Sequence, residues 1–400
     1  MHHAITHRRL HAALAILLLP TLAAHAQWDI QNSHTTASLR GIDNVGNGIA
    51  WASGTDGTIL RTEDGGYVWQ LCAILPGAEK LDFRGIQAFD ANTAIAMSSG
   101  PGDQSRLYKT TDGCQTWKLI FTNPDKDGFW DAIQFQFHDG PSANYRYFSG
   151  GVLIGDPVGG QFTIFNSNDY GKIWNPFGQD QPYRKCPPAL ARKGETLFAA
   201  SNTAVTATAD GNLFAFVTGG KGGARLIFPH WHGWNWGYDN FYQGTCAFDG
   251  IQLPMPSSET AGAFSIASRR TSSDWNRVDL MIVGGDYKNP QVGAAVFVRH
   301  AVPFYKRLLA PHVIASKTPP HGYRSAVAWD AQQKLWITVG PNGTDISTDD
   351  GRNWRALKPG PTDPPDADKS WNALSLPYVV GSKGRIGKLR PIHLNDTKTH

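Results

Sequence analysis

The sequence predicts an all-β protein, a seven-bladed β-propeller of four-stranded blades whose ring is closed by the N-terminal strand. Three observations predict this fold: a turn motif present four times, a short apolar pattern present seven times, and a composition rich in glycine and tryptophan but poor in charge. The 400 residues include 43 Gly and 14 Trp, and only 18% are charged, which is typical of short strands joined by tight turns. This length is sufficient for one large domain with its own core.

The first 26 residues predict a secretory signal peptide. Arg8 and Arg9 give a basic start, residues 12–19 are an apolar run, and Ala24-His25-Ala26 has the small-x-small pattern of a cleavage site. The apolar run is too short to span a bilayer. We therefore expect cleavage near Ala26 and a periplasmic or secreted protein that does not span the membrane.

The turn motif reads Ser/Thr-x-Asp-x-Gly-x-x-Trp. Ser, Thr and Asp side chains bond nearby backbone amides and hold a tight bend, glycine adopts the backbone angle that other residues resist, and tryptophan covers the turn with apolar surface. The second copy carries Cys114 in place of glycine. The copies are Thr62-Asp64-Gly66-Trp69, Thr110-Asp112-Cys114-Trp117, Ser167-Asp169-Gly171-Trp174 and Ser347-Asp349-Gly351-Trp354.

These residues match the Asp-box, or BNR repeat, which occurs in sialidases and many other propellers. The motif therefore indicates a fold and not an activity. We interpret its aspartates and tryptophans as structural.

The second pattern reads apolar, variable, small, apolar, and it gives the number of blades. A small residue suits an innermost strand, where strands crowd toward an axis, and a glycine-marked strand end follows each copy. Four strands in each of seven units make a β-propeller. The copies begin at Leu39, Phe83, Trp130, Leu197, Ala263, Tyr323 and Trp371.

The units are not all complete. Units four and five have degenerate turn motifs, of which unit four keeps Gly233 and Trp236. Unit seven stops after its third strand near residues 384–389, and Trp28-Asp29-Ile30 begins with tryptophan as the other outer strands do. We expect this segment to supply the missing outer strand and remove an exposed sheet edge. The propeller then spans residues 27–390, followed by a polar tail at 391–400.

Four cysteines in an exported chain are compatible with two disulfides. Three pairings are possible. We favour Cys72 with Cys114, because adjacent units bring them to the same end of the blades, and Cys186 with Cys246. The alternative is free thiols packed as small apolar groups.

The charge and the polar clusters exclude several classes of function. The formal net charge of +4 falls to +2 once the two arginines of the leader are removed, and no basic run remains to indicate nucleic-acid binding. His230 and His232 form one His-x-His pair without a third ligand, which is a weak metal signal. We predict neither a metal nor a cofactor.

The order of motifs resembles the photosystem II stability/assembly factor family, in the form of its non-photosynthetic bacterial relatives. The residues that carry the resemblance are Leu39-Arg40-Gly41-Ile42 followed by Thr62-Glu63-Asp64-Gly65-Gly66, and Gly322-Tyr323-Arg324-Ser325-Ala326-Val327 followed by Ser347-Thr348-Asp349-Asp350-Gly351. The resemblance covers the whole chain after the leader. It implies a seven-bladed propeller and, for photosynthetic members, a lumenal or periplasmic assembly factor that binds a membrane-protein precursor through an arginine-bearing face.

Blade topology indicates which face could bind a partner. The inner strand begins on the face where the second strand ends, and the repeated turns lie on the opposite face. The polar residues expected at this mouth of the ring are Arg40, Arg84, Asp131, Asp156, Asp286, Arg324 and Asn372.

Arginine presents a planar fork that suits a carboxylate or phosphate. The sequence therefore predicts a protein or peptide partner with an anionic patch, and a glycan is the other ligand class. The alternative is that these arginines pair with the aspartates and only brace the blades.

A glycoside hydrolase is the competing function. Arg40, Arg84 and Arg324 could hold a substrate carboxylate as in a sialidase, with Tyr323 or Tyr287 as the tyrosine. Asp131 and Asp156 could instead act as a carboxyl pair in a polysaccharide hydrolase. The sialidase motif that begins Phe/Tyr-Arg-Ile/Leu-Pro is absent, and Phe83-Arg84-Gly85-Ile86 only approximates it. A structural propeller with a small-molecule site in its channel is a third possibility.

Overall fold

The computed structural model describes residues 27–73, 77–139, 146–179, 186–207, 214–232, 245–270, 277–301, 311–361 and 363–392. They form seven blades of antiparallel strands arranged in a ring, which confirms the predicted seven-bladed propeller. Within these ranges the only helix is a 3₁₀ turn at Gly102–Gln104, and no helix is long and apolar enough to cross a bilayer. The predicted signal peptide, the predicted degenerate turn at Gly233 and Trp236, and the predicted tail beyond residue 392 lie outside the described residues.

The strands follow one another in chain order. The first fifteen are β1 (Trp28–Gln31), β2 (Leu39–Gly46), β3 (Ile49–Gly54), β4 (Ile59–Thr62), β5 (Gln70–Leu71), β6 (Phe83–Ala88), β7 (Ala94–Ser98), β8 (Arg106–Thr110), β9 (Lys118–Thr122), β10 (Trp130–Asp139), β11 (Arg146–Val158), β12 (Gln161–Ser167), β13 (Asn175–Pro176), β14 (Glu195–Thr196) and β15 (Val205–Ala207). The others are β16 (Phe214–Val217), β17 (Gly219–Gly220), β18 (Arg225–His232), β19 (Thr245–Gln252), β20 (Ala261–Arg270), β21 (Arg277–Asp286), β22 (Gly293–Ala301), β23 (His312–Ala315), β24 (Ala326–Asp330), β25 (Leu335–Gly340), β26 (Gly343–Ser347), β27 (Arg355–Ala356), β28 (Trp371–Ser375), β29 (Tyr378–Gly381) and β30 (Ile386–Leu389).

Each blade runs from an inner to an outer strand. Blades one to seven are β2-β3-β4-β5, β6-β7-β8-β9, β10-β11-β12-β13, β15-β16-β18-β19, β20-β21-β22-β23, β24-β25-β26-β27 and β28-β29-β30-β1, and the short strands β17 and β14 extend the fifth sheet. The inner strands contact one another in ring order, and β28 of the last blade lies against β2 of the first. Apolar side chains fill the space between neighbouring blades, as where Leu39 and Trp69 of blade one pack with Ala373 and Tyr378 of blade seven.

The N-terminal strand is the outer strand of blade seven. β1 pairs antiparallel with β30 in the register Trp28 with Leu389 to Gln31 with Ile386. Trp28 is buried, and its indole Nε1 donates to Thr344 Oγ1 of blade six at 3.3 Å. This strand and its tryptophan therefore attach the start of the chain to two blades formed near its end.

The repeated turns share one hydrogen-bond pattern. In the first, Thr62 Oγ1 donates to Asp64 Oδ1 at 2.9 Å and accepts from the Gly66 amide at 3.0 Å, while Asp64 Oδ1 also accepts from the Val68 amide at 3.0 Å. In the second, hydrogen bonds led by the Thr116 hydroxyl lower the pKa of Asp112 to about 2. The carboxylate is therefore a hydrogen-bond acceptor within its own turn.

The structure contains two disulfides, Cys72–Cys114 and Cys186–Cys246, with Cα–Cα distances of 5.3 and 4.7 Å. They are the pairs that the sequence favours. Cys114 occupies the glycine position of the second turn with φ +65°, so the cysteine there tolerates a left-handed backbone while linking blades one and two.

Residues 197–203, which we term the crossing segment, depart from the sequence prediction. The copy of the small-residue pattern at Leu197 lies ahead of the inner strand β15 and not within it. The segment instead reaches inner strands of other blades. Asn202 Oδ1 accepts from the Ile133 amide at 2.8 Å in blade three, Ser201 Oγ donates to the Ser325 carbonyl at 2.6 Å beside blade six, and Thr203 and Ser265 of blade five join their hydroxyls at 2.7 Å.

The crossing segment explains one small residue of the neighbouring pattern. A Cβ at Gly85 would lie 2.6 Å from Asn202 Oδ1, so a larger residue in this strand of blade two would collide with the segment. Small residues thus suit both an inner strand and a chain that runs across the ring centre.

Candidate binding face

Arg40 and Arg84, which we term the arginine pair, begin the inner strands of blades one and two and share a single carboxylate. Arg84 Nε lies 2.8 Å from Asp82 Oδ2, and Arg40 Nε lies 4.0 Å from Asp82 Oδ1. Their side chains are 28% and 30% exposed. In the described ranges, no other carboxylate is paired with either guanidinium within 4.0 Å, so the cluster carries one positive charge in excess.

Asp131 is a further acid of this face, close enough to Arg84 for the two groups to interact electrostatically. It is buried at the start of β10. Burial, followed by the neighbouring Asp156, raises the pKa of Asp131 well above its ordinary value, against the opposing effect of Arg84. Because a raised pKa favours the neutral acid, the arginine pair keeps its excess charge.

Asp156 binds the chain that leads into the crossing segment. Its Oδ1 accepts from the Thr196 hydroxyl and, at 2.9 Å, from the Leu197 amide. Burial raises its pKa, although these two hydrogen bonds oppose the shift. Asp156 also borders a groove of about 530 Å³ between blades three and four, where Asp127, Arg192 and Lys193 supply charges of both signs.

Two other residues expected at this mouth, Asp286 and Asn372, are hydrogen-bonded to neighbouring groups. Asp286 accepts from the Thr260 hydroxyl at 2.7 Å and the Lys288 amide at 3.0 Å, and the Thr260 bond is the main cause of its lowered pKa. Asn372 of blade seven donates to the Leu39 carbonyl of blade one at 2.8 Å. Asn372 therefore links the last and first blades.

Arg324 lies at the expected position in the chain but is enclosed in blade six. Its Nε donates to Asp345 Oδ2 at 2.8 Å, and its other nitrogens bond Asp345, the Tyr323 carbonyl and Asn342 Oδ1. Both Arg324 and Asp345 are buried. The structure thus brings Arg40 and Arg84 together at the surface and directs the Arg324 fork into the protein.

Four aromatic residues, which we term the aromatic shelf, lie beside the arginine pair; from the sequence, Tyr323 and Tyr287 are candidates only for a hydrolase tyrosine, and Phe198 and Phe264 are not candidates for the site. The Phe198 and Phe264 rings stack with centroids 4.0 Å apart, and Tyr323 meets Phe264 edge-on at 4.7 Å. Tyr287 packs edge-on against both phenylalanines and is 46% exposed. Phe198 and Phe264 occur within the small-residue pattern, so the sequence marks them only as apolar.

Among the described residues, those named for glycoside hydrolysis are placed as follows. Asp131 is buried beneath the surface, so Asp131 and Asp156 do not form two accessible carboxyl groups. Arg324 does not join Arg40 and Arg84 in a triad around a substrate carboxylate. Burial raises the pKa of Tyr323, which disfavours a tyrosinate nucleophile there. Among the described residues, no group of three His, Cys, Asp or Glu side chains is placed to hold a metal ion.

Comparison with known proteins identifies relatives in fold. No protein-family model matches the chain, and a search of curated proteins found no match. Solved structures do match: YCF48 bound to D1 peptide has a TM-score of 0.52 and 15% identity over 92% of this chain and 98% of that one. YCF48 from Cyanidioschyzon merolae has a TM-score of 0.52 and 18% identity, with 92% and 99% covered.

A xyloglucanase of glycoside hydrolase family GH74 from Xanthomonas campestris also matches, at a TM-score of 0.46 and 12% identity over 83% of this chain and 55% of that one. At 15% and 18% identity, the two YCF48 structures support a common fold and nothing finer.

Proposed function

We propose that this chain is an extracytoplasmic protein-binding module, comparable to an assembly factor, that holds an anionic segment of its partner at the arginine pair. The observation that carries the proposal is that Arg40 and Arg84 share Asp82 at the surface and keep one positive charge in excess. An incoming carboxylate would restore the balance and take the bidentate geometry that a guanidinium favours. The leader predicted at residues 1–26 supports a location outside the cytoplasm.

The resemblance to photosystem II stability/assembly factors supports this kind of function. A propeller of the same fold, YCF48, has been solved bound to a D1 peptide, which is a precedent for peptide binding by this architecture. The identity of the partner of this chain does not follow from that precedent.

A pull-down from a periplasmic extract tests the proposal. Tagged wild type is compared with Arg40→Ala/Arg84→Ala and with the control Arg106→Ala/Arg390→Ala. The control removes the same number of charges, from arginines that are 25% and 33% exposed and paired with Asp103 and Asp29.

We expect the arginine-pair variant to lose the retained partner and the control to keep it. Retention by the wild type should weaken as salt rises, because exposed charges are screened. Equal retention by wild type and the arginine-pair variant at low and high salt, or no retained protein at all, would contradict the proposal.

A further inference from the structure

We infer that the segment bound at the arginine pair carries an aromatic side chain close to its anionic group, and that this side chain packs on the aromatic shelf. The inference rests on the proposed function, since it specifies the partner of the same face. It predicts that an acidic peptide alone is an incomplete ligand.

The arginine pair and the shelf are continuous. Arg84 Nη1 donates to the carbonyl of Ala199 at 3.1 Å, and Ala199 directly follows Phe198 of the shelf. On the other side, Arg40 is close enough to Tyr323 for the two to influence each other's pKa. A ligand that reaches the guanidinium groups therefore lies beside aromatic rings.

The aromatic shelf exposes the ring of Tyr287, and the other three rings pack around it or around one another. Phe264 and Tyr323 are buried, Phe198 is half-buried, and Tyr287 is exposed across their edges. Each ring lies 4.0 to 6.3 Å from a neighbour, which restricts how far it can turn. A large apolar surface held in place in this way loses little conformational entropy on binding, as in the rigid aromatic anchors of protein interfaces.

The crossing segment determines how a ligand lies on this face. It bonds to blades three, five and six at the centre of the ring, and Phe198 lies near its start. A ligand is therefore expected to run across this surface, from the arginine pair to Tyr287, and not to thread the axis. Because Arg84 bonds the carbonyl of the residue that follows Phe198, the anionic and aromatic groups of the ligand should lie within a few residues of each other.

A set of four peptides separates the two contributions. The fluorescein-labelled peptides share one Gly/Ser sequence and differ only at two positions, two residues apart. These positions carry Glu and Trp, Glu and Ala, Gln and Trp, or Gln and Ala. Binding to the purified protein is measured by anisotropy. We expect the Glu/Trp peptide to bind most tightly, by about two- to tenfold over Glu/Ala, the range expected for one aromatic contact.

Two variants connect the peptide effects to the face. Tyr287→Ala should weaken Glu/Trp but leave Glu/Ala unchanged, because the lost ring interacts only with Trp. This coupling between a protein ring and a peptide ring would not arise from a general loss of structure. Tyr67→Ala is the control, since Tyr67 is 89% exposed on the first repeated turn, across the propeller from this face by topology.

The outcomes distinguish the inference from the proposed function. Equal affinity for Glu/Trp and Glu/Ala, with both losing affinity in Arg40→Ala/Arg84→Ala, would overturn the aromatic inference and support the arginine pair. If the Glu peptides bind no better than the Gln peptides, both ideas fail. Oligogalacturonate that displaces Glu/Trp at lower concentration than unlabelled Glu/Trp peptide would assign the face to acidic glycans and overturn the inference.

Discussion

Replacing Arg324 should lower the stability of the protein without removing its affinity for an anionic peptide. The perturbation is Arg324→Met, which keeps much of the side-chain volume and removes the charge. Asp345 would then remain buried with His321 Nδ1, 2.5 Å from its Oδ1, as its remaining side-chain partner. The Tyr323 carbonyl and Asn342 would also each lose a donor.

The magnitude follows from the burial of both partners. Removing one member of a buried ion pair costs about 3–5 kcal/mol, because the remaining charge is uncompensated. Unfolding entropy near 2.1 cal/mol/K per residue over roughly 370 residues gives about 0.8 kcal/mol/K. The expected fall in Tm is therefore about 4–6 °C.

Scanning calorimetry and urea unfolding measure this loss, and anisotropy with the Glu/Trp peptide measures binding by the folded variant. The double variant Arg324→Met/Asp345→Leu is the matched control, since replacing both charges by apolar groups is often neutral. It should recover most of the lost stability. An unchanged Tm for Arg324→Met together with lost peptide binding would refute the reasoning and return Arg324 to the binding face.

Two further predictions concern stability. Cys72→Ser/Cys114→Ser removes a crosslink between residues 42 apart in sequence. Because the unfolded chain is then less restricted, the free energy of unfolding should fall by up to about 4 kcal/mol, which lowers the urea midpoint. An unchanged midpoint under oxidising conditions would contradict this prediction. For Asp131, the folded pKa lies above its ordinary value, so the folded state binds the proton more tightly and stability declines as pH rises from about 4 through the raised pKa. Asp131→Asn should remove this decline. In urea titrations between pH 4 and 8, the stability of the variant relative to wild type should therefore grow with pH. A stability difference between the two proteins that stays constant with pH would show that Asp131 ionises normally.

The parts of the fold that the sequence predicts depend on local chemistry. The turn at Thr62 is determined by hydrogen bonds within a few residues, so its motif identifies it without knowledge of the remainder of the protein. Strand order follows from the repetition of such units. The pairing of Trp28 with Leu389 is predictable because blade seven would otherwise lack an outer strand.

The parts of the face that the sequence does not predict depend on distant contacts. Arg324 and Arg84 occupy equivalent positions in the pattern, but Arg324 finds Asp345 two strands later and turns inward, whereas Arg84 meets Asp82 at the surface. The pattern at Leu197 satisfies the requirements of an inner strand and of a chain crossing a narrow centre equally well. The rings of the aromatic shelf come from parts of the chain that are distant in sequence, and no sequence spacing predicts that they contact one another.

The pairing of β1 with β30 has a consequence for the order of events during synthesis. The ribosome makes β1 before the strands of the other blades and β30 near the end, so β1 has no strand to pair with until about 350 further residues have emerged. Closing so long a loop is entropically costly and places this contact late in folding. A chain exported while still unfolded would keep β1 unpaired throughout translocation. Blade seven would gain its outer strand only after both ends of the chain had reached the same compartment.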